Sequence, residues 1–360
     1  MSRFTSHRSW AALLGIAAGV TASAMAGSAA HASAIASDNA ANYQGGGGTT
    51  NVWVNSSNPN SLSPAEPNAG TGFGDWTISN QQSTTPPYNG SGLNTFDTSN
   101  PINTNGNYWY MYANGGSATP RTGLYRAFTG ALSAGQSFSV ALQTSGLGAS
   151  AADGLPSFGF SLDSGTAPSL SAASVNVTSA GTGPSSATTY ADANALFSLS
   201  FNELAPSGNT NLNLIGYNGL SNSSSSGYVV EVNVSAGGTT TSSLLSTVTS
   251  PAGASSANFP TGSGEFYLNA GLTANFTLGS GNSYTLSLTP IGSTTAIQTY
   301  SGTLGSGSIN GADIFDQSTY QNGTFNSLSI ANTAVPEPAT IGLFIAAGAG
   351  LLLVRRRRMA

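Results

Sequence analysis

The 360 residues carry 13 acidic side chains against eight arginines, with no lysine and no cysteine, for a formal charge of −5. Disulfides, thiolate nucleophiles, cysteine-ligated metals and lysine Schiff bases are therefore excluded. Both histidines, His7 and His31, fall near the N-terminus, and Arg121 and Arg126 are the only cations between the two ends. The body of the chain thus lacks the side chains for a serine–histidine triad or histidine-bound zinc, and it cannot neutralise a nucleic-acid backbone.

The first 34 residues read as a secretory signal peptide. Arg3 and Arg8 precede a short apolar run over residues 11–26, and Ala30-His31-Ala32 and Ala32-Ser33-Ala34 both fit the small-residue pattern of a cleavage site. Cleavage is expected near Ala32 or Ala34.

Residues 35–334 are dominated by strand signals. Apolar side chains alternate with Ser, Thr, Asn or Gly at Phe138, Val140 and Leu142; at Phe158, Phe160 and Leu162; and at Phe197, Leu199 and Phe201. The pattern returns at Leu212 and Leu214; at Tyr228, Val230, Val232 and Val234; at Leu272, Phe276 and Leu278; and at Tyr284, Leu286 and Leu288. One buried and one wet face per strand, separated by Gly/Ser/Asn turns, predicts an all-β, antiparallel two-sheet β-sandwich of lectin or jelly-roll type. The polar stretches at 221–226 and 236–243 read as loops within one domain, with division into two sandwiches near Ala236 as the alternative.

Four groups of side chains in this body invite a chemical reading. Trp76, Tyr108, Trp109, Tyr110 and Tyr112, with Asp75, Asn107 and Asn114 nearby, have the composition of a sugar-stacking platform. On one strand, however, the three tyrosines share a face and Trp109 shares the other with Met111, so one of those faces belongs to the core. Arg121 and Arg126 each suit a buried ion pair with an acid that the sequence does not identify, and Arg126 also suits contact with an acidic polysaccharide. Asp313 and Asp316 are weak candidates for an oxygen-only calcium site or for an ordinary turn; no other metal or cofactor is expected. Glu66, Glu203, Glu231 and Glu265 are the carboxylates from which a glycoside hydrolase would need a pair, but no catalytic signature surrounds them. No catalytic residue is assigned, and the body is expected to be non-enzymatic.

The C-terminus repeats the logic of an export signal. Val335, Pro336, Glu337 and Pro338 lead into an apolar run over 341–354, closed by Arg355, Arg356, Arg357 and Arg358. At about 1.5 Å per helical residue the run covers only part of a hydrocarbon core of roughly 30 Å, so it spans marginally, helped by snorkelling arginines. The arginines belong on the cytoplasmic side, which places the body outside.

This order of Val335-Pro336-Glu337-Pro338, apolar helix and arginine cluster resembles the PEP-CTERM sorting signal of Gram-negative-type bacteria that make extracellular polysaccharide. The resemblance covers residues 335–360. It implies that the Pro-Glu-Pro motif is read and the tail removed by a membrane-embedded peptidase, exosortase. It further implies a passing inner-membrane stage before the envelope, cell surface or matrix.

A second resemblance spans about residues 38–163. Asp38 to Tyr43, Gly72-Phe73-Gly74-Asp75-Trp76, Tyr108 to Asn114, Arg126 to Leu132 and Gly135 to Phe138 follow one another as in ectodomains that recur among PEP-CTERM proteins. It implies the same cellular role and adds no chemistry. The chain is thus expected to be a structural or adhesive protein of exopolysaccharide or biofilm. A carbohydrate-binding lectin-like module is the first alternative, and a polysaccharide hydrolase or lyase the second.

Overall fold

Period-two alternation becomes period-two burial. Along Leu272–Leu278, residues Leu272, Ala274, Phe276 and Leu278 are buried while Thr273, Asn275 and Thr277 are half-buried. Strands of this kind close their apolar faces on one another and leave the hydroxyls and amides to water. The computed structural model describes residues 34–43, 70–81, 89–94, 99–113, 121–144, 157–165, 168–179, 183–203, 228–234, 241–244, 270–317 and 323–333.

Within them run seventeen strands in two large antiparallel sheets and a hairpin. The first sheet holds β1 (Ala34–Asp38), β3 (Asn89–Asn94), β4 (Tyr108–Ala113), β6 (Gln136–Thr144), β13 (Leu272–Leu278), β14 (Ser283–Pro290), β15 (Gln298–Thr303) and β17 (Gly323–Asn332). Their order is β15-β14-β13-β6-β17-β4-β3, with β1 also paired to β17. The second sheet holds β2 (Phe73–Gln81), β5 (Arg121–Phe128), β7 (Ser157–Asp163), β10 (Ala195–Glu203), β11 (Tyr228–Val234), β12 (Thr241–Leu244) and β16 (Gly311–Gln317), ordered β12-β11-β10-β7-β16-β5-β2. The hairpin is β8 (Leu170–Ser179) with β9 (Gly183–Asp192).

The chain divides into two units, Ala34–Asn332 and the terminal segments Met1–Ser33 with Thr333–Ala360. Strands that follow residue 236 complete the same two sheets. β13 pairs with β6 and β16 inserts between β7 and β5. The strand signal at Leu212 and Leu214 lies outside the described residues. Among the described residues no helix is long and apolar enough to cross a membrane, and the apolar run at 341–354 also lies outside them.

Aromatic rings join the sheets face to face. Phe138 of β6 meets Phe160 of β7 at 5.6 Å between centroids, and Phe276 of β13 meets Phe197 of β10 at 4.7 Å. Trp109 of β4 meets Trp76 of β2 at 5.4 Å. Each fully buried Phe or Leu contributes about 1.5–3 kcal/mol relative to exposure, so a continuous aromatic seam stabilises a chain that has no disulfide. The turn from β13 to β14 places Gly281 (φ 63°) and Asn282 (φ 59°) in the left-handed region, the residue types that tolerate it.

Candidate functional site

The aromatic residues singled out in the sequence separate by face. Trp109 and Met111 have no exposure and point between the sheets. Trp109 stacks on Phe325 of β17 at 5.2 Å and meets Tyr43 edge-on at 5.5 Å. Trp76 is 2 % exposed, and its Nε1 donates to the Tyr43 hydroxyl at 3.1 Å. Neither indole presents a face to a sugar, so both leave the platform and join the core. Tyr108 is buried as well, and Asn107 with it, whereas Asp75 is exposed on β2.

Arg126 also turns inward. Its Nη1 lies 3.0 Å from Asp38 Oδ2 and donates to the Tyr43 hydroxyl at 2.9 Å, while its guanidinium sits 4.7 Å from the Trp76 ring centroid and 5.4 Å from that of Phe73. Tyr43 donates in turn to Asp38 Oδ2 at 2.8 Å, and Asn42 Nδ2 donates to Oδ1 at 3.2 Å. Fully enclosed, Arg126 has no surface from which to hold a polysaccharide; it is a structural ion pair. The pair links β5 of one sheet to β1, which is hydrogen-bonded to β17 of the other. Burial raises the Asp38 pKa above the ordinary carboxylate range even against the attraction of Arg126, and it drives the Tyr43 phenol to about 12.

What remains of the aromatic platform is Tyr110 and Tyr112. Both are half-buried on the outer face of the first sheet. Tyr110 stands opposite Gly92 on β3 and Thr324 on β17, and Tyr112 opposite Gly90. The residue directly opposite each ring on β3 is thus a glycine, which has no side chain to cover it. On the β17 flank, Thr324, Gln143 and Asn100 form a hydrogen-bonded polar row, with Asn100 Nδ2 donating to Gln143 Oε1 at 3.2 Å. Burial, then the neighbouring Tyr112, raises the Tyr110 pKa, so the phenol stays neutral through the physiological range.

The outer face of the second sheet carries a second buried ion pair. Arg121 Nη2 lies 2.6 Å from Asp313 Oδ2, and its guanidinium stacks 4.8 Å from the Phe315 ring centroid. Asp313 and Asp316 belong to β16, a central strand, and three residues of separation puts them on opposite faces. Asp313 pairs with Arg121, while Asp316 Oδ2 accepts from the Gly323 amide at 3.1 Å. The two acids do not converge on a common ion.

Beside Arg121 and Asp313 lies a group that sequence reasoning missed. Asp163 at the end of β7 is fully buried, with the side chains of Ser161 and Asp192 against its carboxyl. Burial, then the charges of Asp313 and Asp192, pushes its pKa up to about 9. Tyr125 of β5 is driven to about 12 by burial and by the same acids, and its hydroxyl donates to the Gly165 carbonyl at 2.8 Å. Gly311 passes under the Tyr125 ring so closely that a β-carbon there would collide with the phenol. The only available sequence signal was the acidic residue ending an apolar strand.

Of the four glutamates weighed as a hydrolytic pair, only Glu231 has a described side chain. It is half-buried and accepts from Asn233 Nδ2 at 2.7 Å, and burial raises its pKa. Glu66 and Glu265 lie outside the described residues, as does the Glu203 side chain. The sorting residues Val335, Pro336, Glu337 and Pro338, and the arginines 355–358, lie outside them too.

No family model matches the chain, and no curated protein matches it. Among solved structures it is similar to an endo-β-1,4-glucuronan lyase from the fungus Trichoderma reesei at 8 % identity, covering 71 % of this chain and 92 % of that one with a TM-score of 0.30. It is similar also to the Botulinum neurotoxin serotype D binding domain at 9 % identity, 68 % and 44 % coverage and a TM-score of 0.27. A glycosyl hydrolase family protein from Mycobacterium fortuitum follows at 10 % identity, 73 % and 84 % coverage and a TM-score of 0.24. These likenesses are too distant for any residue to be carried across, and the assignment that stands is architectural: a nearly all-β chain built on two antiparallel sheets.

Proposed function

We propose that this is an exported, non-enzymatic surface or matrix protein, delivered through its C-terminal segment and working as a structural or adhesive element of extracellular polysaccharide. The observation that carries the reading is the order of parts at 335–360: rigid Pro336-Glu337-Pro338, a marginal apolar span, then four arginines. The prolines prevent the helix from beginning earlier and hold the approach extended for a peptidase to read. The arginines stop translocation on the cytoplasmic side. An exosortase removes the tail, and the body goes on to the envelope or matrix. A jelly-roll-like sandwich suits that setting, because serine, threonine and asparagine keep a nearly uncharged surface hydrated without attracting polyanions.

The test is replacement of Pro336, Glu337 and Pro338 by alanine in the producing cell. The expected outcome is accumulation of the unprocessed chain in the inner membrane, with the extracellular fraction falling at least about tenfold, the loss expected when recognition by hydrogen bonds and shape is removed. Unchanged extracellular yield would defeat the reading.

A second reading, direct glycan contact, is favoured by Tyr110 and Tyr112, two half-buried rings that each face a glycine on β3, Tyr110 having Thr324 on its β17 side. Sugar C–H faces stack on such rings. The double change Tyr110→Ala with Tyr112→Ala is expected to cut retention on the producer's own polysaccharide by about tenfold or more, at roughly 1–2 kcal/mol lost with each aromatic contact. Retention equal to that of the unaltered chain in an affinity column would remove this reading.

A further inference from the structure

We propose that the outer face of the first sheet is a docking surface for a neutral polysaccharide, an inference that rests on reading the chain as a component of extracellular polysaccharide. Charge is segregated between the sheets. Strands β3, β4, β6, β13, β14, β15 and β17 contain no acidic or basic residue. The one charged side chain of the first sheet, Asp38 of β1, is buried against Arg126. Every other charged residue of the two sheets lies in the second, among them Asp75, Arg121, Glu231 and Asp313.

Hydroxyls and amides fill the outward positions of the first sheet instead. Strand register sets Ser139, Asn275, Ser287 and Thr299 side by side across β6, β13, β14 and β15. Thr277, Thr285 and Ser301 form the next outward row on the last three of those strands. All of these side chains are half-buried or exposed. Tyr110 and Tyr112 belong to the same face on β4. At about 4.8 Å between neighbouring strands, the face runs roughly 24 Å from β4 to β15.

Serine and threonine hydroxyls and the asparagine amide each donate and accept, as sugar hydroxyls do, so water on both surfaces is replaced in kind. A carboxylate or sulfate has acceptors only. Set against this face it would lose water with no cation to compensate. The body has none to lend. Arg121 is 2 % exposed and Arg126 has no exposure, each is in an ion pair, and residues 35–334 hold no lysine or histidine. With twelve acids against those two arginines, the body also repels a polyanion at longer range. A neutral chain meets neither penalty. Laid across the strands, it would rest its ring C–H faces on Tyr110 and Tyr112 and its hydroxyls on the rows beyond.

The experiment runs the full-length chain, in a neutral detergent, through affinity gels carrying the producer's extracellular polysaccharide, split by anion exchange into neutral and acidic fractions. The neutral fraction is expected to retard the chain and the acidic fraction is not. Asn275→Ala, Thr285→Val and Ser301→Ala together are expected to weaken that retention about tenfold through lost hydrogen bonds, at temperatures where melts show the variant folded. Thr77→Val, exposed on β2 of the second sheet, is expected to leave it unchanged. Thr285→Arg with Ser301→Arg is expected to create retention on the acidic fraction that added salt abolishes. Retention of the unaltered chain on the acidic fraction as strong as on the neutral one overturns the inference while leaving a glycan role standing. Retention on neither fraction overturns both. Unchanged neutral retention in the triple variant removes this face, and self-association lost in that variant without glycan retention assigns it to a second copy. A producer polysaccharide with no neutral fraction also overturns the inference. Sorting is untouched by all of these results, because it is read from the tail.

Discussion

Replacing Arg126 with methionine is expected to destabilise the sandwich by about 3–5 kcal/mol, the cost of leaving a buried partner charge uncompensated. Asp38 has no exposure at its side chain and loses the guanidinium that sits 3.0 Å away. Tyr43 loses the donor at 2.9 Å, and the rings of Trp76 and Phe73 lose the cation above them. The carboxyl answers by taking up a proton, a shift that burial already favours. Asp38→Asn alone is expected to cost at least as much, since the buried guanidinium stays charged with no counter-charge and the amide keeps only one of the two acceptor oxygens that Tyr43 and Asn42 use. The double change Asp38→Asn with Arg126→Met is expected to recover part of the loss, because the stranded charge is then gone. Denaturant melts of the four proteins measure the coupling directly, and additivity within about 0.5 kcal/mol would show that the two residues do not act as a pair.

Trp109→Ala is expected to cost about 3–5 kcal/mol, at the upper end for a core truncation. The indole fills the space bounded by Trp76 at 5.4 Å, Phe325 at 5.2 Å and Tyr43 at 5.5 Å, and no polar group can follow water into the resulting cavity without cost. The neighbouring residue on the same strand has the opposite profile. Tyr110 faces outward, so Tyr110→Ala is expected to change stability by less than about 1.5 kcal/mol. Polysaccharide retention, in turn, is expected to survive Trp109→Ala at temperatures where the variant is folded. A Trp109→Ala protein that melts like the parent would place the indole outside the core.

These two contrasts also show what was legible beforehand. Alternation at Phe138, Val140 and Leu142, at Phe158, Phe160 and Leu162, and at Leu272, Phe276 and Leu278 gave β6, β7 and β13, because burial on one face imposes period two on the sequence itself. The same parity separated Trp109 from Tyr110. An ion pair for each of Arg121 and Arg126 was also foreseeable, since two cations among twelve body acids must find partners when buried.

Their identities were not foreseeable. Asp38 lies 88 positions from Arg126 and Asp313 lies 192 from Arg121, and only the pairing of β16 between β5 and β7 brings the latter two together. β16 itself was hidden: Gly311-Ala312-Asp313-Ile314-Phe315-Asp316 reads as an acidic turn because its outward face is charged yet buried. β5 was obscured in the same way by two arginines, one on each face. The carboxyl pair at Asp163 and Asp192 depends on a hairpin root closing against the end of another strand, a contact that no local pattern encodes.

Sorting remains the claim on which the cellular account turns, and the C-terminus of the extracellular form tests it most directly. Intact-mass and C-terminal peptide analysis of protein recovered from the matrix is predicted to find a chain ending near Pro338, without the apolar run or Arg355 to Arg358. Recovery of the extracellular protein with those four arginines still attached would contradict the account.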